Sequence, residues 1–129
     1  MKKIKLLFIL LFGTTALFGQ NKEKALHILF QNVDSTYFTE DGNRWFEFSL
    51  PPNRAFKIMD LVESDTTCTE CVFVKGKKNY KRYVKEEYPG RKYDKNVFGH
   101  MDAIINGHLV MMWMYDSYTF GLITVLTMD

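Results

Sequence analysis

Apolar and polar positions change their period several times along this 129-residue chain, and each change predicts an element. Ala25, Leu26, Leu29 and Phe30 recur at helical spacing, so Lys24–Phe30 is expected to close a first helix. From Thr36 to Leu50 the pattern is that of a hairpin. Tyr37-Phe38 and Trp45-Phe46-Glu47-Phe48 flank the turn signal Glu40-Asp41-Gly42-Asn43. Pro51-Pro52 stops the second arm, because proline cannot donate to a ladder. Ala55–Val62 fits a short helix or a strand equally well. Thr66–Val74 is rich in β-branched residues and predicts a strand that ends at Lys75-Gly76-Lys77.

Lys78–Tyr88 carries the clearest helical period. Tyr80, Tyr83, Val84 and Tyr88 fall on one face, lysine, arginine and glutamate occupy the others, and Pro89-Gly90 ends the run. Beyond a basic loop, Met101–Ile105 and His108–Tyr115 read as strands joined by Asn106-Gly107, the strongest hairpin turn in the chain. Asp116-Ser117 permits another turn, and Tyr118–Met128 supplies a third strand. The expectation is an α+β fold: an antiparallel sheet packed against an N-terminal and a middle helix, in one domain over residues 20–129.

The N-terminus has a different character. Lys2, Lys3 and Lys5 precede the apolar run Leu6–Phe12, and the small residues Gly13 to Ala16 follow. A basic start, a short apolar run and a small-residue exit mark a secretory signal peptide, residues 1–19, with cleavage expected after Gly19. The run is shorter than the roughly 20 apolar residues a membrane-spanning helix needs, so no stable span is expected after cleavage. A retained N-terminal anchor is the alternative. The expected location is outside the cytoplasm, periplasmic or secreted.

Removing this leader changes the charge balance. Three of the 17 basic residues go with it, leaving 14 against 15 acids, a net charge of −1. Such a balance gives no case for nucleic acid as a partner. The distribution is uneven: Asp34 to Glu70 holds eight acids against Arg44, Arg54 and Lys57, whereas Lys75 to Lys95 holds nine bases against Glu86, Glu87 and Asp94. The tyrosines among those bases keep helical spacing, which buries them rather than offering them to single-stranded bases. Aromatic residues make up 16% of the chain, enough bulk to fill the core of one small domain.

From Lys75 to Phe120 the chain resembles the nuclear transport factor 2-like superfamily. The segment VKGKKNYKRYVKEEYPGRKYDKN is similar to the strand, helix and linker before the main sheet of exported members. DAIINGHLVMMWMYDSYTF is similar to the family's strand-turn-strand stretch, in which a tryptophan is followed by Tyr-x-Phe, as Trp113, Tyr118 and Phe120 are in this chain. The resemblance implies a cone-shaped α+β fold with a curved sheet, and sheet-face pairing into a homodimer. It extends to dehydratases and isomerases of this type, which use a His/Asp pair inside the cone for cofactor-free acid–base chemistry.

His100, Asp102 and His108 are the residues that could supply such a pair, since strands on either side of Asn106-Gly107 approach one another. Histidine suits the chemistry because its unperturbed pKa of about 6.5 lets it take and give a proton. If Ile104 faces inward, His100 and Asp102 share its face. These positions do not match a family catalytic motif, and the expectation is that they are exposed turn residues. Met112, Trp113, Met114 and Tyr118 are the candidate pocket-lining residues, methionine being adaptable in shape, although an ordinary buried strand would have the same composition.

Cys68 and Cys71 are the only cysteines. In an exported chain they are expected to form a local disulfide or an inert pair. A redox motif would need a helix after the first cysteine, and Val72-Phe73-Val74 favours a strand. A zinc site would need a second ligand pair, and haem attachment a histidine where Val72 stands. No metal and no cofactor are therefore expected. The functional expectation is a non-catalytic binding or interaction domain for a small apolar ligand or a protein partner. Two rivals are a proton-transfer enzyme acting on a small apolar substrate, and an exported inhibitor or immunity-type protein that docks through its basic segment.

Overall fold

The computed structural model describes residues 9–126, with side chains from Gln20 onward, so Lys2, Lys3 and Lys5 of the expected signal peptide lie outside the described residues. Helix α1 (Ile9–Gln31) includes the expected Lys24–Phe30 turn set, and Ala25, Leu26 and Leu29 are buried on its inner face. The Asn32 side chain donates to the Ile28 carbonyl where the helix ends. Strands β1 (Val33–Phe38) and β2 (Arg44–Leu50) form the predicted hairpin around Gly42, whose φ of +86° is open to glycine at no steric cost.

The ambiguous 55–62 segment is helical. Helix α2 (Pro52–Glu63) starts on Pro52, whose missing N–H costs nothing in the first turn, and buries Ala55, Ile58, Met59 and Val62 along one stripe. Strand β3 (Cys71–Lys75) begins later than the expected Thr66. The buried Asp65 carboxylate accepts from the backbone N–H groups of Lys22 and Thr67 and from the Thr67 hydroxyl. Those bonds tie the 65–67 turn to α1, and local side-chain-to-backbone bonding of this kind competes with the ladder. Helix α3 (Lys77–Glu87) follows, then strands β4 (Gly99–Ile105), β5 (His108–Met114) and β6 (Thr119–Val125) in the expected meander.

The six strands form one sheet in the order β1-β2-β6-β5-β4-β3, antiparallel throughout. Asn106 and Gly107 both take positive φ, +50° and +79°, and set the predicted register, Ala103 opposite Val110, Ile104 opposite Leu109 and Ile105 opposite His108. With α1, α2 and α3 the architecture is mixed α and β, three helices and a six-stranded antiparallel sheet among the described residues.

Alternation along the strands divides the sheet into two unlike faces. One packs on α1 and α2, with Phe48, Met101, Ile105, Met112, Met114 and Ile123 fully enclosed. Gly121 lies opposite Phe48 in the β2–β6 register, and a Cβ there would overlap the Phe48 ring. The glycine is what lets that ring lie across β6. The other face carries His100, Asp102, Met111 and Trp113. Its β3–β4–β5 corner is covered by α3, through a smaller cluster of Tyr80, Val84, Val74 and Val97 with Tyr83, Trp113 and Tyr115 packed around it.

Candidate functional site

The site lies where α3 crosses that second face. Gly76, with φ +98°, turns the chain sharply out of β3, and the Asn79 side chain donates to the Lys75 carbonyl in the first turn of α3. Tyr80, Tyr83 and Val84 then face the sheet by helical spacing, while Tyr88 stands at the rim, about half exposed. The return loop is held by Asp94, which accepts from the Asn96 N–H and from the Tyr115 hydroxyl at 2.9 Å. Burial and that bond push the Tyr115 phenol up to about 12.

Beneath α3 three side chains form a polar chain. The Tyr83 hydroxyl donates to Asp102 Oδ2 at 2.7 Å, and His100 Nε2 lies 3.0 Å from the same oxygen. His100 is 4% exposed. Its ring is 5.5 Å from Tyr80, 5.5 Å from Tyr83 and 5.3 Å from Trp113, centroid to centroid, so aromatic rings fix its plane. Burial raises the Asp102 pKa, but the His100 bond and charge together with the Tyr83 hydroxyl outweigh it, and the carboxyl sits below its ordinary range. Burial first, then the bond to Asp102, holds the Tyr83 phenol above its ordinary range, so it remains a donor. His100 Nδ1 and Asp102 Oδ1 are buried and have no hydrogen-bond partner among the described residues.

These groups border a cleft of about 290 Å³ between α3 and the sheet. Tyr83, Tyr88, Trp113 and Met111 give it apolar and aromatic walls, His100 and Asp102 a polar floor, and Arg91 and Lys92 a cationic rim. Small-molecule sites commonly have this mixture of mostly apolar lining and a few convergent polar groups.

The structure corrects several sequence expectations. His100 and Asp102 are not exposed turn residues. They share the face of Ile104, as alternation requires, but α3 roofs that face. His108 takes no part: it lies on the opposite face with its ring 5.4 Å from Phe30 of α1. Of the four candidate pocket residues only Trp113 lines the cleft. Met112 and Met114 alternate to the other face and are fully buried in the main core. Tyr118 is exposed in the turn before β6 and stacks on Tyr115 at 4.8 Å. Sequence reasoning misses Tyr83, Tyr88, Arg91 and Lys92 as site residues, because helical spacing alone assigns the tyrosine stripe to packing.

Cys68 and Cys71 stand at disulfide distance, their Cα atoms 5.8 Å apart, at the edge of the main core and away from the cleft. Among the described residues no three His, Cys, Asp or Glu side chains cluster as a metal site would need, and no helix is long and apolar enough to cross a membrane. Lys77, Lys78, Lys81, Arg82 and Lys85 lie exposed on α3. No protein-family model, curated protein or solved structure matches the chain.

Proposed function

We propose that this chain is an exported, non-catalytic domain of nuclear transport factor 2-like type that binds a small, flat molecule in the cleft between α3 and the sheet. The observation that carries the reading is the aromatic-walled cleft with the His100–Asp102 pair at its floor. Tyr83, Tyr88 and Trp113 supply large, rigid apolar surface, which favours a planar guest. The volume, about 290 Å³, lies at the lower end of the roughly 300–1,000 Å³ usual for ligand pockets, which points to one ring or two fused rings.

The 3.0 Å contact between His100 and Asp102 favours a second reading, proton transfer on a bound substrate. Two features weigh against it. A carboxyl held below its ordinary range is a weak base at neutral pH, whereas an effective general base titrates near its working pH. The His100 ring is enclosed by three aromatic side chains and has Nε2 engaged with Asp102. The pair is better suited to orienting a ligand than to exchanging protons with one.

A titration followed by two-dimensional amide and indole NMR tests the binding reading, with indole and phenol as neutral flat probes. Saturable shifts are expected at the Trp113 indole and at the amides of Tyr83, His100 and Asp102. No saturable shift there with either probe, or shifts centred elsewhere, would overturn it.

A further inference from the structure

Independently of the cleft reading, we infer that the outer face of α3 binds a linear acidic polysaccharide, a chain of sugars bearing carboxylate or sulfate groups. Two observations carry this: a one-sided array of cations without ion-pair partners, and a concavity into which the array leads.

At about 100° per residue, the exposed Lys77, Lys78, Lys81, Arg82 and Lys85 fall within roughly 140° of the helix, and Glu86 and Glu87 fall outside that arc. Of the nine bases from Lys75 to Lys95, only Lys75 forms an ion pair among the described residues, with Asp60 and Glu63. Arg82 donates to the neutral Asn79 side chain at 2.7 Å. The array does not serve the helix. Lys77 and Lys81, Lys81 and Lys85, and Lys78 and Arg82 are like charges four residues apart, a spacing that destabilises a helix. Lys77 and Lys78 stand in the first turn, where the helix dipole favours an acid, and no acid is there. A row of anions laid along this face would offset both effects.

The array leads into a concavity of about 240 Å³ between α3 and the loop that follows it. Gly90, with φ +83°, turns the chain back, and Arg91 and Tyr93 line this space together with Lys81 and Lys85. Lys81 Nζ lies 5.7 Å from the centre of the Tyr93 ring, and no acid is among the lining residues. The space suits one sugar unit with its acid group among three cations. Other polyanions fit this face less well. A helix lying on a membrane needs apolar side chains facing the lipid, and α3 turns Tyr80 and Val84 inward. Single-stranded nucleic acid is held by successive stacked bases, and Tyr93 is the one aromatic ring lining the concavity. The core of a protein interface is apolar and poor in lysine, whereas four of the five residues in the arc are lysines. An acidic polysaccharide needs neither stacking nor an apolar anchor. Lysine point charges match its acid groups, and displaced counterions supply affinity, as for any chain of fixed charges.

The test is isothermal titration calorimetry of the protein with heparin, polygalacturonate and neutral dextran. Both polyanions should bind and dextran should not, with affinity falling at least roughly tenfold between about 50 and 200 mM salt. Lys77→Gln/Lys81→Gln/Lys85→Gln should weaken both polyanions by at least roughly tenfold at the lower salt. Lys24→Gln/Arg54→Gln/Lys57→Gln removes the same charge from exposed positions on α1 and α2, and should leave both affinities nearly unchanged. An equal loss in the two variants would mean that net charge alone drives binding, and would overturn the inference. Binding of dextran, or binding indifferent to salt, would do the same. Tighter binding of phosphatidylglycerol vesicles, polyglutamate or oligothymidylate than of either polysaccharide would overturn the partner class. If the α3 variant does not fold, amide NMR of the unsubstituted protein decides. Heparin should then shift residues 77–85 and 91–93 and leave Lys24, Arg54 and Lys57 unmoved, and shifts centred elsewhere would refute the assignment.

Discussion

Tyr83→Phe removes one atom from the site and leaves its packing. The phenyl ring would keep its place 5.5 Å from His100 and 6.3 Å from Tyr88, so no cavity opens. What disappears is the 2.7 Å bond from the hydroxyl to Asp102 Oδ2. Hydrogen bonds to charged groups contribute about 1.5–3 kcal/mol. The Asp102 side chain is 21% exposed, so water can take over part of the lost bond, and we expect a loss of about 1–2 kcal/mol at pH 7. For a domain of this size that is a fall in thermal midpoint of roughly 5–10 °C. The loss should depend on pH with a definite sign. Asp102 is depressed below its unfolded value of about 3.9, so its ionised form stabilises the fold above that pH, and the contribution is lost as pH falls through the folded value. In Tyr83→Phe the folded value moves back up and the increment shrinks. Urea unfolding of both proteins, followed by far-ultraviolet circular dichroism from pH 7 down to about pH 2, should show two stability curves that converge at the acid end. A constant gap across that range would mean that the hydroxyl acts through packing. The stabilising role assigned to the Asp102 carboxylate would then be wrong, as it would be if there were no gap at pH 7.

Two further expectations concern the frame around the site. Gly121→Ala would drive a methyl group into the Phe48 ring, and should cost about 1–3 kcal/mol or more in chemical denaturation; adding Phe48→Leu should restore part of it, and a neutral Gly121→Ala would refute the close approach of ring and strand. Replacing Cys68 and Cys71 together with serine opens a loop of only four residues, for which chain entropy gives about 2 kcal/mol. That variant should fold and bind the phenol probe with a modestly lower thermal midpoint, and loss of folding would show that the pair holds more than its own turn.

Much of the fold was legible because the hydrophobic period states it. The Asn106-Gly107 hairpin, the α3 stripe and the C-terminal meander all follow from local pattern and turn chemistry. The 55–62 segment was not settled by its own residues, because Ala55, Ile58, Met59 and Val62 satisfy a helical stripe only once a sheet and α1 are there to receive them. The late start of β3 depends on Asp65 bonding to Lys22, 43 residues earlier, a contact no local window contains. The site was half legible. Alternation put His100 and Asp102 on one face, yet exposure depends on what covers that face. The cover, α3, comes from a separate stretch of sequence, and Tyr83 lies 19 residues before Asp102.

The failure with Met112 and Met114 explains why the site sits where it does. A strand apolar on both faces can line a pocket or fill an ordinary core, and in β5 the two faces do different work. Val110, Met112 and Met114 close the main core with α1 and α2, where a vacant volume or an unpaired polar group would be paid for directly in stability. Met111 and Trp113 face the other way, towards a single short helix that leaves Asp102 and Met111 only half-buried. A buried histidine paired with an aspartate is costly inside a core. At the margin of α3 Asp102 keeps some solvent, gains a donor in Tyr83, and is flanked by aromatic rings that exclude water from His100. Covering the central strands of one sheet face with two helices and the other face only at a corner thus lets the fold hold the His100–Asp102 pair beside an open cleft, while most of the packing that stabilises the domain lies on the far side of the sheet.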